Sequence, residues 1–376
     1  MKTFLLLAFV LIAAGLAGAS PPPAFANSKH FVLPFQVTNG TSTAEILSVD
    51  SGLDDPKMTP GVNDSTFDWW HFDVVGRNNS LSVVFYNFGE SSLDVPHPGG
   101  PLLVQVSGTF DNGTSFLKSA AATEGATFDS LGPRGISSAW HGKNDSVYYF
   151  AGGPFEKPEI PLALGFYGID IEVYGAIWLT PRSPPRYPCN LDTPGVTQEV
   201  MPEIYWSNAI PYANASVELT IDGEVFAFDG SGYHDQTWGT KPLKDSVQTW
   251  YRGHGHIHNY TLVWSSALDK EGNHHFSSWI GHVNGEAVFQ SCQNQSVVVR
   301  PWGENSAYPP TPGLPAPSGY HIRYDLGGGR AFVANFTTQA VERSTDTYKR
   351  VAGFVLGGFE GEEQHDGAAL CEQFQH

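Results

Sequence analysis

Apolar and polar residues alternate along this 376-residue chain in short runs, and the three-to-four-residue spacing of a helix is almost absent. The clearest runs are 81–88, 102–110, 147–150, 169–179, 217–221, 225–228, 261–267, 276–283, 297–300, 321–324, 331–336 and 348–356. Asp222-Gly223 between two of them predicts a two-residue hairpin loop, which needs positive φ. Strands at such intervals without helices between them predict an all-β protein built from barrels or sandwiches. Pro-rich stretches at 181–188 and 309–317 read as ordered loops or lids. No repeat of roughly 34 or 40 residues is visible, which argues against propellers and solenoids. The expected division is an N-terminal β domain over 30–232 and a C-terminal β barrel over 233–376, with a ligand pocket between them.

Composition narrows this further. Only 15% of residues are charged, and 41 Gly with 27 Pro fit a turn-rich β chain. A formal net charge of −18 argues against nucleic acid and anionic membranes as partners, since both need basic patches. Residues 1–19 read as a secretory signal, with Lys2, an apolar stretch over 4–16, and Ala17-Gly18-Ala19 before Ser20. A second small-x-small site follows at Ala24-Phe25-Ala26. No other stretch approaches the ~20 apolar residues of a membrane span, so a protein of the secretory pathway or cell exterior is expected. Asn39, Asn63, Asn78, Asn112, Asn144, Asn214, Asn259, Asn294 and Asn335 each open an Asn-x-Ser/Thr triplet. They predict surface glycosylation and a eukaryotic host. Cys189, Cys292 and Cys371 allow one disulfide and leave a thiol over.

The densest chemistry lies in Ser-Gly-Tyr-His-Asp-Gln-Thr-Trp-Gly at 231–239 and Trp-Tyr-Arg-Gly-His-Gly-His-Ile-His at 250–258. The first reads as a Gly-flanked turn that presents Tyr233, His234, Asp235 and Trp238. In the second, alternation puts Trp250, Arg252, His254, His256 and His258 on one side of a strand, and Tyr251 and Ile257 on the other. The three histidines admit metal binding, a hydrogen-bonding pocket wall, or a plain structural role. Alternate residues lie ~7 Å apart and the outer pair ~13 Å, so one ion takes at most two of them. No metal is expected.

Over 67–73, Asp68, Trp70 and Phe72 share one face and Trp69, His71 and Asp73 the other, so Asp68 or His71 is enclosed. A carboxyl among tryptophans has its pKa raised by desolvation, which suits a general acid. The plainer reading is an aspartate holding backbone amides at a strand end. His274-His275 sits in a Gly-Asn turn and reads as exposed. Nucleophile-elbow and dinucleotide-binding motifs are missing, and Gly327-Gly-Gly329 is a hairpin tip, so no nucleotide cofactor is expected. Ten tryptophans supply core or an apolar ligand wall, Trp264 and Trp279 among them.

In order along the chain come Asp68-x-Trp70-x-Phe72-Asp73, the 231–238 run, a Trp-x-Arg-Gly strand start, and Gly353-Phe-Val-Leu-Gly-Gly-Phe-Glu360. This series resembles the two-domain, lipocalin-like (calycin) proteins grouped with hydroxyneurosporene synthase, kievitone hydratase and the fungal Diels–Alderases. The resemblance spans nearly the whole mature chain. It implies paired β domains around a largely apolar pocket without a cofactor. It further implies either water addition across alkenes or folding of a polyene or quinone methide for [4+2] cycloaddition. Asp68, Tyr233, His234, Asp235 and Trp238 are the positions it carries over.

The combined expectation is a secreted fungal pericyclase in secondary metabolism, acting on a lipophilic intermediate with or without prior dehydration of an alcohol to a quinone methide. A hydratase or dehydratase of an isoprenoid or prenylated phenol is the alternative, and a lipophile carrier the third reading. The expected catalytic set is Asp68, Tyr233, His234, Arg252 and His256. Substrate contacts are expected from Trp70, Trp238, Trp250, His254, Trp264 and Trp279.

Overall fold

A computed structural model of the protein describes residues 28–48, 53–130, 135–153, 160–191, 193 and 195–376. The expected signal and both of its cleavage sites lie outside the described residues.

Ten strands position the site. They are β1 (Phe67–Val75), β2 (Ser80–Phe88), β3 (Leu102–Thr109), β4 (Ile204–Ile221), β5 (Glu224–Gly239), β6 (Val247–Ile257), β7 (Tyr260–Asp269), β8 (Arg330–Ser344), β9 (Tyr348–Phe359) and β10 (His365–Gln375). The first five belong to a fifteen-stranded antiparallel sheet, in the order β4-β5-β1-β2-β3. The last five belong to a nine-stranded sheet, in the order β7-β6-β10-β9-β8. The first sheet curls on itself, so Phe128 from a strand near one end of it lies 5.0 Å from the ring of Trp70 in β1. Each sheet encloses its own core: Trp70, Phe72, Phe85, Trp140 and Phe150 in the first, Tyr251, Trp264, Tyr320 and Phe336 in the second. The expected all-β pair of curled domains is therefore the observed fold.

The outer face of β1–β3 packs against the second sheet, and every residue of those three strands is buried. Both Asp68 and His71 are consequently enclosed, one on each side of β1. A third core of Phe67, Trp69, Tyr86, Trp250, Trp279 and Phe374 joins the sheets.

The Asp222-Gly223 loop has φ of 52° and 83°, and Ile221 pairs with Glu224, which is the predicted two-residue hairpin. Its arms run far longer than the short runs suggested. Residues 231–239 form no turn: they continue β5, and Tyr233 to Gly239 pair with Asp73 to Phe67. Gly232, read as a flank of that turn, and Gly230 before it serve close packing. A Cβ at Gly230 would stand 2.5 Å from the Val75 carbonyl oxygen, and one at Gly232 2.5 Å from Leu179. The division drawn at 232 falls inside β5, and the chain passes to the second sheet over 240–246 through the short helix Leu243–Ser246. Cys189 and Cys292 form the disulfide, and Cys371 is a buried free thiol.

Candidate active site

Alternation along β1 and β5 sorts their polar residues onto two sides. Asp68, His234 and Gln236 face the interior of the first sheet, where Asp54, Asp55 and Lys57 cover them. Asp68 accepts hydrogen bonds from the Lys57 amide at 2.7 Å and from Gln236 Nε2 at 2.7 Å. Burial pushes its carboxyl up to about 7, against the pull of those two donors. His234 Nε2 lies 2.7 Å from Asp54, its Nδ1 lies 2.9 Å from the His71 carbonyl, and its ring stacks on Phe72 at 3.8 Å. Burial opposes a charge on His234, but Asp54 outweighs it and raises the pKa.

The other side faces the second sheet. There, one row of cross-strand neighbours runs Arg252, Glu372, Arg350, Arg343 across β6, β10, β9 and β8. Arg252 donates to Glu372 at 2.6 Å, to Asp235 at 2.7 Å and to Thr237 at 2.8 Å. Tyr233 donates to the same Asp235 oxygen at 2.8 Å and accepts from Asn208 at 2.9 Å. Arg350 Nε donates to the Tyr348 hydroxyl at 2.8 Å, and that hydroxyl donates to Glu372. Burial by itself raises the Glu372 carboxyl. Arg252, His71, Arg350 and the Tyr348 hydroxyl overcome it and hold the group far below the usual carboxylate range.

Between this row and β1–β2 lies a small cavity of about 40 Å³. Trp69, Tyr86, Tyr348 and Phe374 form its aromatic walls, with His71, Arg350 and Glu372 at the polar end. One enclosed space thus carries a fixed anion, a fixed cation and aromatic faces. That combination favours reactions in which charge separates inside an apolar ligand.

Comparison with known proteins identifies the family. Residues 33–300 match the family described as Diels-Alderase-like. The chain belongs to the Diels-Alderase-like family. It is 42% identical over 378 residues to the quinolone epoxide rearrangement protein asqO of Emericella nidulans, covering 100% of this chain and 99% of that one. It is 45% identical over 351 residues to the quinolone epoxide rearrangement protein penF of Penicillium thymicola, covering 93% and 96%. Among solved structures, CghA with Sch210972 superposes with a TM-score of 0.74 at 14% identity, over 93% of this chain and 98% of that chain. Kievitone hydratase from Nectria haematococca does so at 0.52 and 14%, over 92% and 98%. These two likenesses concern the fold. The relatives make this Diels-Alderase-like chain an enzyme of cyclase or isomerase type that acts on a small molecule.

Within the family fold, the expected residues separate. Arg252, His254 and His256 share the intersheet side of β6 with Trp250, while Tyr251 and Ile257 enter the second core, as alternation predicts. Arg252 stands one residue behind the cavity, bonded to Glu372. His254 Nε2 lies 2.9 Å from Asp73 and its ring stacks on Tyr233 at 3.9 Å. His256 stacks on Tyr212 at 4.4 Å. His258 leaves the strand in a left-handed turn with φ of 51°, so it does not extend that face. Asp68, His234 and Trp238 line the sealed inner side instead of the cavity, because β1 and β5 turn alternate residues to opposite sides. Trp70 and Trp264 are core residues of the first and second sheets for the same reason. Trp279 joins the intersheet core beside Arg186. Among the described residues no group of three or more His, Cys, Asp or Glu is placed to hold a metal ion.

Sequence reading missed Trp69, Tyr86, Tyr348, Arg350, Glu372 and Phe374. The signal was present in Tyr348-x-Arg350 and Glu372-x-Phe374, where charges alternate with aromatics in apolar strands.

Proposed function

We propose that the protein isomerises an epoxide carried on a quinolone-like, lipophilic molecule held in the intersheet cavity. The carrying observation is the pairing of an ionised Glu372 with Arg350 inside aromatic walls. The epoxide C–O bond breaks with its electron pair moving to oxygen, which the Arg350 guanidinium stabilises. Positive charge on the carbon is met by the Glu372 carboxylate and by the faces of Trp69, Tyr86, Tyr348 and Phe374. A neighbouring group of the same molecule then supplies the pair for the new bond. Mass is conserved and no cofactor enters the balance. The near full-length likeness to two epoxide rearrangement proteins supports this reading.

The test is incubation of the purified protein with a quinolone epoxide in H₂¹⁸O. The expected result is one product of unchanged mass without label. Labelled product would indicate a hydratase, and no acceleration over buffer would defeat the reading.

The family description favours [4+2] cyclisation as a second reading, in which the same walls align diene and dienophile. An alcohol precursor that lost water to a quinone methide before ring closure would show a mass loss, which the same experiment detects.

We also propose passage through the secretory pathway. Eight of the nine triplet asparagines are exposed; Asn63 is half-buried and donates to the Gly40 carbonyl. A mass decrease on glycosidase treatment of protein from the native host is the expected result, and unmodified full-length protein would contradict it.

A further inference from the structure

Three histidines lie in the middle of β1, β5 and β6, and two of them are held by carboxylates: His234 by Asp54 and His254 by Asp73. His71 is different. It is 1% exposed and borders the cavity, yet neither ring nitrogen has a hydrogen-bond partner. The carboxylate oxygen paired with it, Asp73 Oδ2, is 3.7 Å away and already engaged by His254. Tyr233 meets the His71 ring edge-on, at 6.4 Å between centroids, with its hydroxyl committed to Asp235. A buried imidazole with both nitrogens open is left to be satisfied by water or by a ligand in the cavity it borders.

We propose that His71 is the proton carrier of this cavity and that the substrate is an epoxide bearing its own N–H or O–H nucleophile. The proposal rests on the epoxide reading above. Neutral His71 takes the proton from the nucleophile as that atom bonds to the epoxide carbon. The C–O bond breaks, its pair goes to oxygen, and His71 returns the same proton to that oxygen. The product is an isomer with a new ring and a hydroxyl, and the imidazole ends neutral.

The charged and titratable groups around His71 come from every element packed on it. They are Asp73 of β1, Tyr233 and Asp235 of β5, Arg252 and His254 of β6, Arg350 of β9 and Glu372 of β10. Burial, reinforced by Arg350, Arg252 and His254 against Glu372, keeps the ring's pKa well below the ordinary value of 6.5. Imidazole is then in its proton-accepting form at neutral pH.

The experiment compares wild type with His71→Gln on a quinolone epoxide with a free N–H and on its N-methyl counterpart. For the free N–H substrate, kcat should fall about 100-fold in the variant while KM stays within about threefold. The wild-type rate should fall only below pH 6.5, and the variant should lack that acid limb. Wild type should turn over the N-methyl substrate no faster than the variant does. ¹⁵N NMR of the wild-type protein should show the His71 ring neutral at pH 6.5, a readout that stands even if the variant fails to fold. Unchanged kcat in a folded variant, a retained acid limb, full N-methyl turnover by wild type, or a charged ring at pH 6.5 would each overturn the role. Absence of any isomer from wild type would instead overturn the epoxide reading.

Discussion

The two sides of β1 and β5 carry similar residues and do opposite things. On the inner side, Asp68, Gln236, His234 and Asp54 hold one another and the 54–57 backbone, with only Asp54 Oδ1 and Gln236 Oε1 of these side chains left over. On the intersheet side, Glu372, Arg252 and Arg350 are just as well bonded, but an open cavity and an unpartnered His71 adjoin them. Burial and a displaced pKa are common to both sides and so do not distinguish them. Access to an apolar space does. Asp68 has the raised carboxyl expected of a general acid, yet the cavity lies across the strand from it.

The largest effect that could break this contrast concerns the intersheet ion set. Arg252→Leu leaves Asp235 buried without its guanidinium and Glu372 with Arg350 alone, and should cost about 3–5 kcal/mol in urea denaturation. A loss below about 1 kcal/mol would mean the set is solvated and the cavity polar.

The next effect is a pH dependence. Glu342 is buried, bonds Ser82 at 2.6 Å across the seam, and burial raises it to about 7 despite nearby Arg350. Its folded pKa lies above the unfolded 4.5, so its contribution is intact below pH 4.5 and lost as pH rises through about 7. Glu342→Gln should therefore be more stable than wild type by about 3 kcal/mol at pH 8, with the difference vanishing near pH 4. A difference that grows toward low pH would reverse the assignment.

A smaller effect sharpens the inner side. Asp68→Asn turns an amide N–H toward the Lys57 or Gln236 donor and should cost about 1–3 kcal/mol of stability. Turnover per folded molecule should remain within about twofold. A 100-fold loss of kcat in folded protein would bring the chemistry back to Asp68. Smallest in stability is Tyr348→Phe, which should cost about 1 kcal/mol and lower kcat about tenfold by uncoupling Arg350 from Glu372. Unchanged kcat would remove that hydroxyl from the site.

Much of the fold was legible because period-two patterning survives wherever one face of a strand meets solvent. The alternation read for β6 holds because Thr249 to Ile257 pair in unbroken register with β7 and β10, yet His258 leaves the strand and neither Arg252 nor His256 lines the cavity. The same reading failed on residues 231–239, where glycines needed for strand contact looked like turn signals. It also could not choose a face of β1, since a strand buried on both sides gives no solvent-facing residues to orient it. The cavity itself joins 69–95 to 343–376, and no local pattern announces the crossing of Arg350 with Glu372 on neighbouring strands.

The central claim is that chemistry takes place between the sheets and not inside the first barrel. A crystal structure with a bound quinolone epoxide, or with its isomerised product, tests this most directly. The ligand should lie between Trp69 and Tyr348, within roughly 4 Å of His71 and Phe374. Ligand density beside Asp68 and His234, with the intersheet cavity unfilled, would contradict it.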